Sequence, residues 1–525
     1  MSLFDRLHHL WRRIAPAAPP PPRHFFTPSE IGRLYRVHAS DTGIDDQTWN
    51  DLLLPDYEDR LAFEASIFGR QMLHRRLRAG ATDEECLARH ARLRTLMDDP
   101  ERLDALEANL RTLRHADAEV AGLLFQDEQP TQPAWARWLW LLPLALLVSL
   151  AALVTQPLGW MLTLGVLAPL MALQIRYHRR LEEWDAVLRA LHALLGASAL
   201  LGKQGGPLLE PFVAARAHAE RLHVRLARPL YTRMIPGAKQ YADWFAAANV
   251  ARYFCTARLV ADGREFLRAC YLDCANLEAD VVLARHLQTQ ERWCRAERGP
   301  ARELALDGGV HPLMPQPAAL SVSLAGRGAF VSGQNASGKS TFLRMVGLNL
   351  IVARAFGFCY AERARLPALP VRASMQNEDS LLGGESLYMA ELRRARELLE
   401  AARTSPGICL IDEVFRGTNH LESVSAAAAV LEELAARELV LVSSHNLVLA
   451  SLMKEGLEPF FIDTGSGKPV LKPGVLRDPN GIALLATQGF GARIEERAVE
   501  VARWLSAHLA EPKIEAQGAP ELRRA

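Results

Sequence analysis

Residues 329–341 read AFVSGQNASGKST, a segment that predicts a strand, a tight loop and a helix in succession. A short apolar strand runs into residues 333–340, which fit the phosphate-loop pattern G-x-x-x-x-G-K-[ST], and a helical pattern follows. In such a loop the backbone N–H groups face a phosphate, and the helix N-terminus adds a favourable field. The predicted phosphate contacts are Gly333, Gln334, Asn335, Ala336, Ser337, Gly338, Lys339, Ser340 and Thr341.

Two side chains of this loop have a chemical role in the prediction. Lys339 supplies a positive charge to the β- and γ-phosphates, and the hydroxyl of Ser340 is placed to ligate Mg²⁺. A second apolar strand, 408–411, ends in Asp412 and Glu413. Asp412 would hold Mg²⁺, and Glu413 would orient or deprotonate an attacking water. The alternative is an ordinary acidic pair at the end of a strand.

A third apolar strand, 439–442, ends in Ser443-Ser444-His445. Ligands bind at the carboxyl ends of the strands in an open α/β sheet, so we interpret His445 as a sensor of the γ-phosphate. The alternative is a structural histidine. Together the three strand ends predict a site where a nucleotide is bound and hydrolysed.

Composition limits the classes of protein that the chain can be. It has 525 residues, with 61 Lys and Arg against 60 Asp and Glu. That length predicts about three domains, and it excludes a collagen-like or disulfide-stabilised mini-protein. The balanced charge excludes a global attraction to nucleic acid, so any such binding depends on local patches. Seven cysteines without a CxxC pair indicate reduced thiols inside a cell.

Residues 138–175 contain no Asp, Glu, Lys, Arg or His. Thr155-Gln156-Pro157 divides them into two apolar stretches, 138–154 and 158–175, close to the ~17–25 residues that span a bilayer as a helix. We therefore expect a transmembrane helical hairpin. Arginines stand on both outer flanks and the turn is uncharged. This charge pattern predicts an inner (cytoplasmic) membrane protein whose two flanks, and with them the ATPase domain, lie on the cytoplasmic side. The alternative is a buried helical hairpin in a soluble core.

Other segments carry a family resemblance. Residues 412–418 read DEVFRGT, residues 384–392 read GESLYMAEL, and SSHN follows the third strand. With GQNASGKST, these resemble the ATPase domain of the MutS family of DNA mismatch-repair proteins, whose pattern is roughly GPNMGGKST, GxSTFMxEM, DEIGRGT and TH in that order. Further resemblance lies in Val310-His311-Pro312, in Asn480-Gly481-Ile482 and in the helical segment 495–509.

The resemblance implies an ATP hydrolase that uses ATP as substrate with Mg²⁺ and works as a homodimer. Ser386 would then reach, in trans, the γ-phosphate held by the partner subunit. DNA, mismatched or branched, is the implied partner. The chain departs from the family in having no Phe-x-Glu element and too few residues before the first span for a mismatch-recognition domain, so we expect that domain to be absent.

The sequence thus predicts an α/β P-loop NTPase domain of the MutS type, preceded by an all-α core and lever region that the transmembrane hairpin interrupts. The predicted segments are an amphipathic helix and Pro-rich spacer (1–25), helical core (26–134), hairpin (135–176), helical core and lever (177–308), ATPase domain with C-terminal dimerisation helices (309–510) and tail (511–525). The N-terminal helix would lie in the membrane interface or pack on the protein.

One surface could bind a polyanion. Arg221, Arg225 and Arg228 follow helical spacing without an acidic neighbour, and such a stripe binds DNA phosphates or anionic lipid, or is simply solvated.

Three functions remain open at this point. They are a membrane-tethered MutS-like ATPase that acts on DNA, an ATP-gated membrane scaffold that recruits proteins without DNA, and a transport ATPase.

Overall fold

The structure is a computed structural model of the chain. It describes residues 24–37, 43–126, 132–156, 159–228, 237–375, 387–415, 419–465, 467–476 and 489–509. Several predicted features lie outside these ranges: the N-terminal amphipathic helix with its spacer, Ser386, residues 416–418, residues 480–482 and the tail.

Within the described residues the chain forms two compact units. The first takes up residues to Ile44, Leu54–Arg295 and Ile351–Phe358; the second takes up Asp45–Leu53, Ala296–Leu350 and the residues from Cys359 onward. The second unit is therefore discontinuous in sequence.

The first unit is helical. Its helices begin at residues that cap them, as where Thr82 accepts from the Glu85 N–H and the Glu85 carboxylate accepts from the Thr82 N–H. The helices are α1 Pro28–Ile31, α2 Arg33–Val37, α4 Leu54–Leu61, α5 Ile67–Ala79, α6 Asp83–Met97, α7 Pro100–Leu110, α8 Ala121–Phe125, α9 Leu141–Thr155, α10 Gly159–Gln204, α11 Glu210–Leu226, α12 Ala238–Phe245, α13 Ala248–Asp262 and α14 Arg264–Thr289.

Buried polar contacts join the early helices of this unit to α14. The carboxylate of Glu278 accepts hydrogen bonds from the backbone N–H groups of Ser66 at 2.8 Å and Gly69 at 2.9 Å. Arg76 forms an ion pair with Asp280 at 2.7 Å, and both side chains are buried. Removing one partner of such a pair leaves a buried charge unpaired, so these contacts fix which helices pack together.

The apolar region 138–175 forms two packed helices, α9 and the first part of α10. The backbone carbonyl of Ser149 on α9 accepts a hydrogen bond from the Thr163 hydroxyl on α10 at 3.4 Å. Among the described residues, α10 is the one helix long and apolar enough to cross a membrane, judged by length and composition. The apolar helix at Leu141–Val154 is shorter, so by this criterion the predicted hairpin has one candidate span and not two.

The predicted arginine stripe is wrong at one position. Arg221 and Arg225 lie exposed on α11, but α11 ends at Leu226, before Arg228. The guanidinium of Arg228 instead pairs with Asp185 and with Asp243, each at 3.2 Å. Its charge is therefore used within the protein, and the stripe is reduced to two residues.

The second unit contains two sheets. Their strands are β1 Cys294–Gly299, β2 Glu303–Gly309, β3 Leu320–Ala325, β4 Gly328–Gly333, β5 Phe358–Cys359, β6 Arg363–Pro367, β7 Val371–Ser374, β8 Ile408–Asp412, β9 Leu439–Ser443, β10 Leu457–Asp463 and β11 Val470–Pro473. The first sheet has the order β3-β2-β6-β1-β5, and the second has the order β11-β10-β4-β9-β8-β7. In the second sheet β4 is paired in parallel with β9 and β10, and β8 lies in parallel between β9 and β7.

The helices of the second unit separate the parallel strands of its second sheet along the chain. They are α3 Asp46–Asp51, α15 Lys339–Phe356, α16 Leu387–Thr404, α17 His420–Arg437, α18 Val448–Leu452 and α19 Ala492–Leu509. Strands β8 and β9 are buried along most of their length, as the continuous apolar runs 408–411 and 439–442 predict for strands inside a parallel sheet. Residues from α16 and α17 pack with them in one apolar cluster that includes Leu398, Leu431 and Cys409.

The 45–53 segment covers the edge of the second sheet. Strand β7 is the last strand, so one side of its backbone lacks a neighbouring strand. The Thr48 hydroxyl accepts from the Ala373 N–H at 2.9 Å, and the Asp51 carboxylate accepts from the Met375 N–H at 2.8 Å. Arg394 on α16 donates to the Ala373 carbonyl at 2.6 Å. Side chains thus satisfy edge groups that another strand would otherwise pair.

Candidate nucleotide-binding site

Three parallel strands bring the predicted site residues together. Strand β9 lies between β4 and β8, so the phosphate loop after β4, the acidic pair at the end of β8 and the histidine after β9 meet at one sheet edge. They enclose a cavity of about 280 Å³. Its lining consists of Ala336, Ser337, Gly338, Lys339, Ser340, Thr341, Asp412, Glu413 and His445.

The loop between β4 and α15 is tightly curled. Gly338 has φ +95°, and Ala336 has φ +60° although it is not glycine. A Cβ atom added to Gly333 would lie 2.5 Å from the Ser337 hydroxyl oxygen. That buried oxygen has no hydrogen-bond partner among the described residues. Helix α15 begins at Lys339, so its N-terminal N–H groups face the same cavity edge, as an anion site requires.

Lys339 is held by the loop itself. Its ammonium group donates to the carbonyl oxygens of Gly333 at 3.2 Å and Gln334 at 3.1 Å. Burial lowers the pKa of Lys339, and the charges of Glu413 and Asp412 oppose that shift. A cation so placed, with two carboxylates across the cavity, can balance the charge of a bound phosphate.

The oxygen donors for a magnesium ion face this cavity. Asp412 and the hydroxyl residue Ser340 both line it, and oxygen ligands of this kind are what Mg²⁺ prefers. One oxygen of Asp412 accepts a hydrogen bond from the hydroxyl of Ser443 on the neighbouring strand. That contact orients the carboxylate, which has a second oxygen with which to coordinate, so these residues fit Mg²⁺.

Glu413 lies where the backbone leaves the sheet. Its φ is +61°, an uncommon value for a residue other than glycine, and its N–H donates to the Ser443 carbonyl at 3.0 Å. Its carboxylate lies 2.8 Å from the Nε2 atom of His445. Two residues later Phe415 also has positive φ, and its ring packs edge-on against Tyr388. Strain of this kind is typical of functional sites, where the surroundings hold it in place.

The structure therefore brings most of the predicted site residues together. Lys339, Asp412, Glu413 and His445 share one cavity, whereas Ser386 lies outside the described residues. The contact of Ser443 with Asp412 was not predicted, although the place of Ser443 at the end of β9, next to β8, was a usable signal.

Part of the chain matches a known protein family. The family model for MutS domain V matches residues 329–460, which extend from β4 to β10. The matched region thus contains Lys339, Asp412, Glu413 and His445, and it also includes β9 and the first residues of β10, the two strands that flank β4.

Individual relatives match between a third and a half of the chain. A DNA mismatch repair protein MSH3 from Phaeosphaeria nodorum is 31% identical over 41% of this chain and 20% of its own length. A DNA mismatch repair protein MutS 1 from Halobacterium salinarum is 32% identical over 34% and 21%. A DNA mismatch repair protein MutS from Thermus thermophilus is 30% identical over 45% and 30%.

The chain therefore spans only a fifth to a third of the length of these relatives. The match to the family model includes every residue that lines the cavity. The domain at residues 329–460 therefore belongs to the MutS family.

Proposed function

We propose that the chain is a membrane-tethered MutS-like ATPase that binds and hydrolyses ATP as a dimer and acts on DNA as an ATP-gated switch. The proposed ATPase activity rests on one observation: Lys339, Asp412, Glu413 and His445 line the same cavity. A cation, two carboxylates and an imidazole at the end of parallel strands are the groups that phosphoryl transfer to water requires.

Each residue has a distinct part in the proposed reaction. The loop N–H groups and Lys339 bind the β- and γ-phosphates, which concentrates positive field where charge develops. Asp412 and Ser340 would hold Mg²⁺, which neutralises phosphate charge when it is bound. Glu413 orients a water in line with the γ-phosphate and accepts its proton. His445, 2.8 Å from Glu413, exchanges that contact for one to the γ-phosphate when ATP is present.

The proposed dimer and its DNA partner follow from the family. The relatives are named as DNA mismatch repair proteins, and we propose that this chain likewise acts on mismatched or branched DNA. Ser386 from one subunit would contact the γ-phosphate bound by the other, so ATP would close the dimer. Hydrolysis would then reopen it.

The proposed membrane tether is supported by the exposed surface of α9 and the first part of α10. Leu147 is 66% exposed, Val154 88% and Ile175 70%, in a region without a charged side chain. Along α10 the buried residues up to residue 176 are only Gly159, Leu170 and Gln174; the others begin at Tyr177. Apolar side chains exposed this densely are typical of a lipid-facing surface.

The ATP site is tested by measuring binding of a fluorescent ATP analogue and phosphate release on the purified full chain in detergent. Lys339→Ala should weaken binding at least about tenfold, because a charged contact to phosphate is worth roughly 1.5–3 kcal/mol. Lys454→Ala, an exposed lysine of the same unit, is the matched control. Equal affinity in wild type and Lys339→Ala would exclude the phosphate-loop assignment.

The DNA partner is tested by fluorescence anisotropy of matched, mismatched and branched duplexes across a salt series, with ADP and with ATP. Affinity for DNA that depends on the bound nucleotide and falls with salt concentration would support the switch.

A second candidate function is an ATP-gated scaffold that does not bind DNA. It gains support from Arg228, because the pairing of Arg228 with Asp185 and Asp243 leaves fewer basic residues free on this surface. Dimerisation driven by ATP, with no DNA binding in any nucleotide state, would favour that scaffold.

A further inference from the structure

Helix α12 has an inverted amphipathic pattern. Tyr241, Trp244 and Phe245 lie at i, i+3 and i+4 on one face, and they are 68%, 56% and 46% exposed. The rings of Tyr241 and Phe245 stack with centroids 6.1 Å apart. A helix on the surface of a soluble protein normally turns such residues inward and its charged residues outward. Here the aromatic face is the outer one.

Asp243, on another face of α12, contacts the protein. The Asp243 carboxylate pairs with Arg228 at 3.2 Å, and the Asp243 carbonyl accepts from the Gln174 side chain at 2.6 Å. Gln174 and Asn249 exchange two further hydrogen bonds, at 2.7 and 3.1 Å. These contacts fix the rotation of α12, so the exposure of its aromatic rings is set by the fold.

The same contacts fix the level of α12 along the hairpin. Gln174 stands at the end of the charge-free region, and the following residue pair is Ile175 and Arg176. Ala247, just beyond α12, packs with Leu146 and Leu170 of the two apolar helices. Leu170 lies four residues before Gln174, roughly 6 Å along the helix axis. Helix α12 is therefore beside the base of the hairpin, where apolar surface gives way to charge.

Other aromatic and basic residues lie at this level. The Trp135 ring packs edge-on against Tyr177 at 5.9 Å, and the Arg137 and Arg180 guanidinium groups lie over Trp138 and Tyr177. Tyrosine and tryptophan concentrate at membrane–water interfaces, where an apolar ring and a polar tip meet their matching surroundings.

We propose that α12 is an in-plane membrane anchor that rests on the lipid headgroup region beside the hairpin. This inference depends on the proposed tether. Tyr241, Trp244 and Phe245 insert their rings at the boundary between headgroups and acyl chains. Exposed Lys239 and Arg176 face the phosphates of the same leaflet. A lipid bilayer fits this surface because the aromatic face of α12 is continuous with the exposed apolar surface of the hairpin. The two surfaces meet where the apolar part of the hairpin ends.

The test uses the full chain in vesicles made from lipids brominated either near the headgroup or deep in the acyl chain, because bromine quenches nearby tryptophan. The difference in tryptophan fluorescence between the wild type and Trp244→Phe gives the emission of Trp244 on α12. The same difference for Trp160→Phe gives the emission of Trp160 in the hairpin. Trp49→Phe, which removes a buried ring of the second unit, is the control for unspecific quenching. We expect the Trp244 emission to be quenched more by shallow than by deep bromine, and the Trp49 emission to be unaffected.

The outcomes separate the anchor from the tether. Quenching of Trp160 without quenching of Trp244 would overturn the anchor and leave the tether, with α12 in water or covered by a protein. Stronger quenching of Trp244 by deep than by shallow bromine would also overturn the interfacial position. Quenching of neither residue would refute the tether, and the anchor with it.

Discussion

Substituting Thr48 by Val tests whether the 45–53 segment holds the edge of the second sheet. Thr48 is fully buried, and its hydroxyl accepts from the Ala373 N–H at 2.9 Å. The same hydroxyl donates to the Asp45 carboxylate at 2.8 Å and accepts from Arg394 at 3.1 Å. Valine keeps the shape of the side chain and removes all three contacts. The change therefore isolates the polar interactions from the packing.

The expected magnitude follows from the group left behind. A buried N–H without a partner costs about 1–3 kcal/mol, which corresponds to a roughly 5- to 150-fold change in an equilibrium constant. Strand β7 is an edge strand, so the Ala373 N–H has no neighbouring strand to pair with instead. We expect this free energy to appear as easier local opening of β7.

Hydrogen exchange of the Ala373 amide measures this opening. In Thr48→Val we expect that amide to exchange roughly 5- to 150-fold faster than in the wild type, under conditions where reclosing is faster than chemical exchange and the rate follows the opening equilibrium. Thr95→Val is the matched control, because the Thr95 hydroxyl is exposed and bonds only within its own helix, to the Ala91 carbonyl at 3.0 Å. Unchanged exchange at Ala373 in Thr48→Val would refute the assignment of the 45–53 segment as the edge cover.

Three further changes test the site and its support. Glu413→Gln should bind ATP but release phosphate at least about a hundredfold more slowly, since general-base catalysis contributes about 10²–10⁴-fold; normal turnover would remove Glu413 from that role. His445→Ala should keep ATP affinity but slow hydrolysis, as measured by phosphate release, and equal rates would make His445 structural. Burial, and then the charge of Arg344, lower the pKa of His311 to about 4, and its Nδ1 accepts from the Leu313 N–H. The neutral His311 side chain therefore contributes fully to stability above pH 6.5, its ordinary pKa. This contribution is lost as the pH falls towards 4, by up to about 3 kcal/mol. His311→Asn should make the free energy of unfolding less dependent on pH in chemical denaturation, and an unaltered pH profile would show that His311 does not cause the dependence.

Local pattern predicted the strands of the site closely. The apolar runs 408–411 and 439–442 are the strands Ile408–Asp412 and Leu439–Ser443, each followed by its predicted polar residues. A parallel strand that is buried on both faces needs a continuous apolar run, and this requirement leaves a direct trace in one sequence. The phosphate loop is visible for the same reason, because its chemistry depends on consecutive residues.

Contacts between distant residues left no such trace. The Thr48 hydroxyl and the Ala373 N–H are 325 positions apart, and nothing near Thr48 indicates a sheet edge. The arginine stripe failed because helical spacing was extended past Leu226, where α11 ends and Arg228 turns to Asp185. Helix α12 was not predicted either: the aromatic face of AKQYADWF is typical of a buried helix, and only its packing places that face outside.

The discontinuity of the second unit has a consequence for its biosynthesis. The ribosome makes residues 45–53 early, but the strand that they cover follows only after about 320 further residues, at β7. Until α16 has also emerged, the Ala373 carbonyl lacks the Arg394 guanidinium, and the nascent sheet has an open edge of the kind that pairs with other chains. A fragment that starts at residue 296 would keep that edge open permanently, so a soluble ATPase fragment needs residues 45–53 fused to it or added in trans.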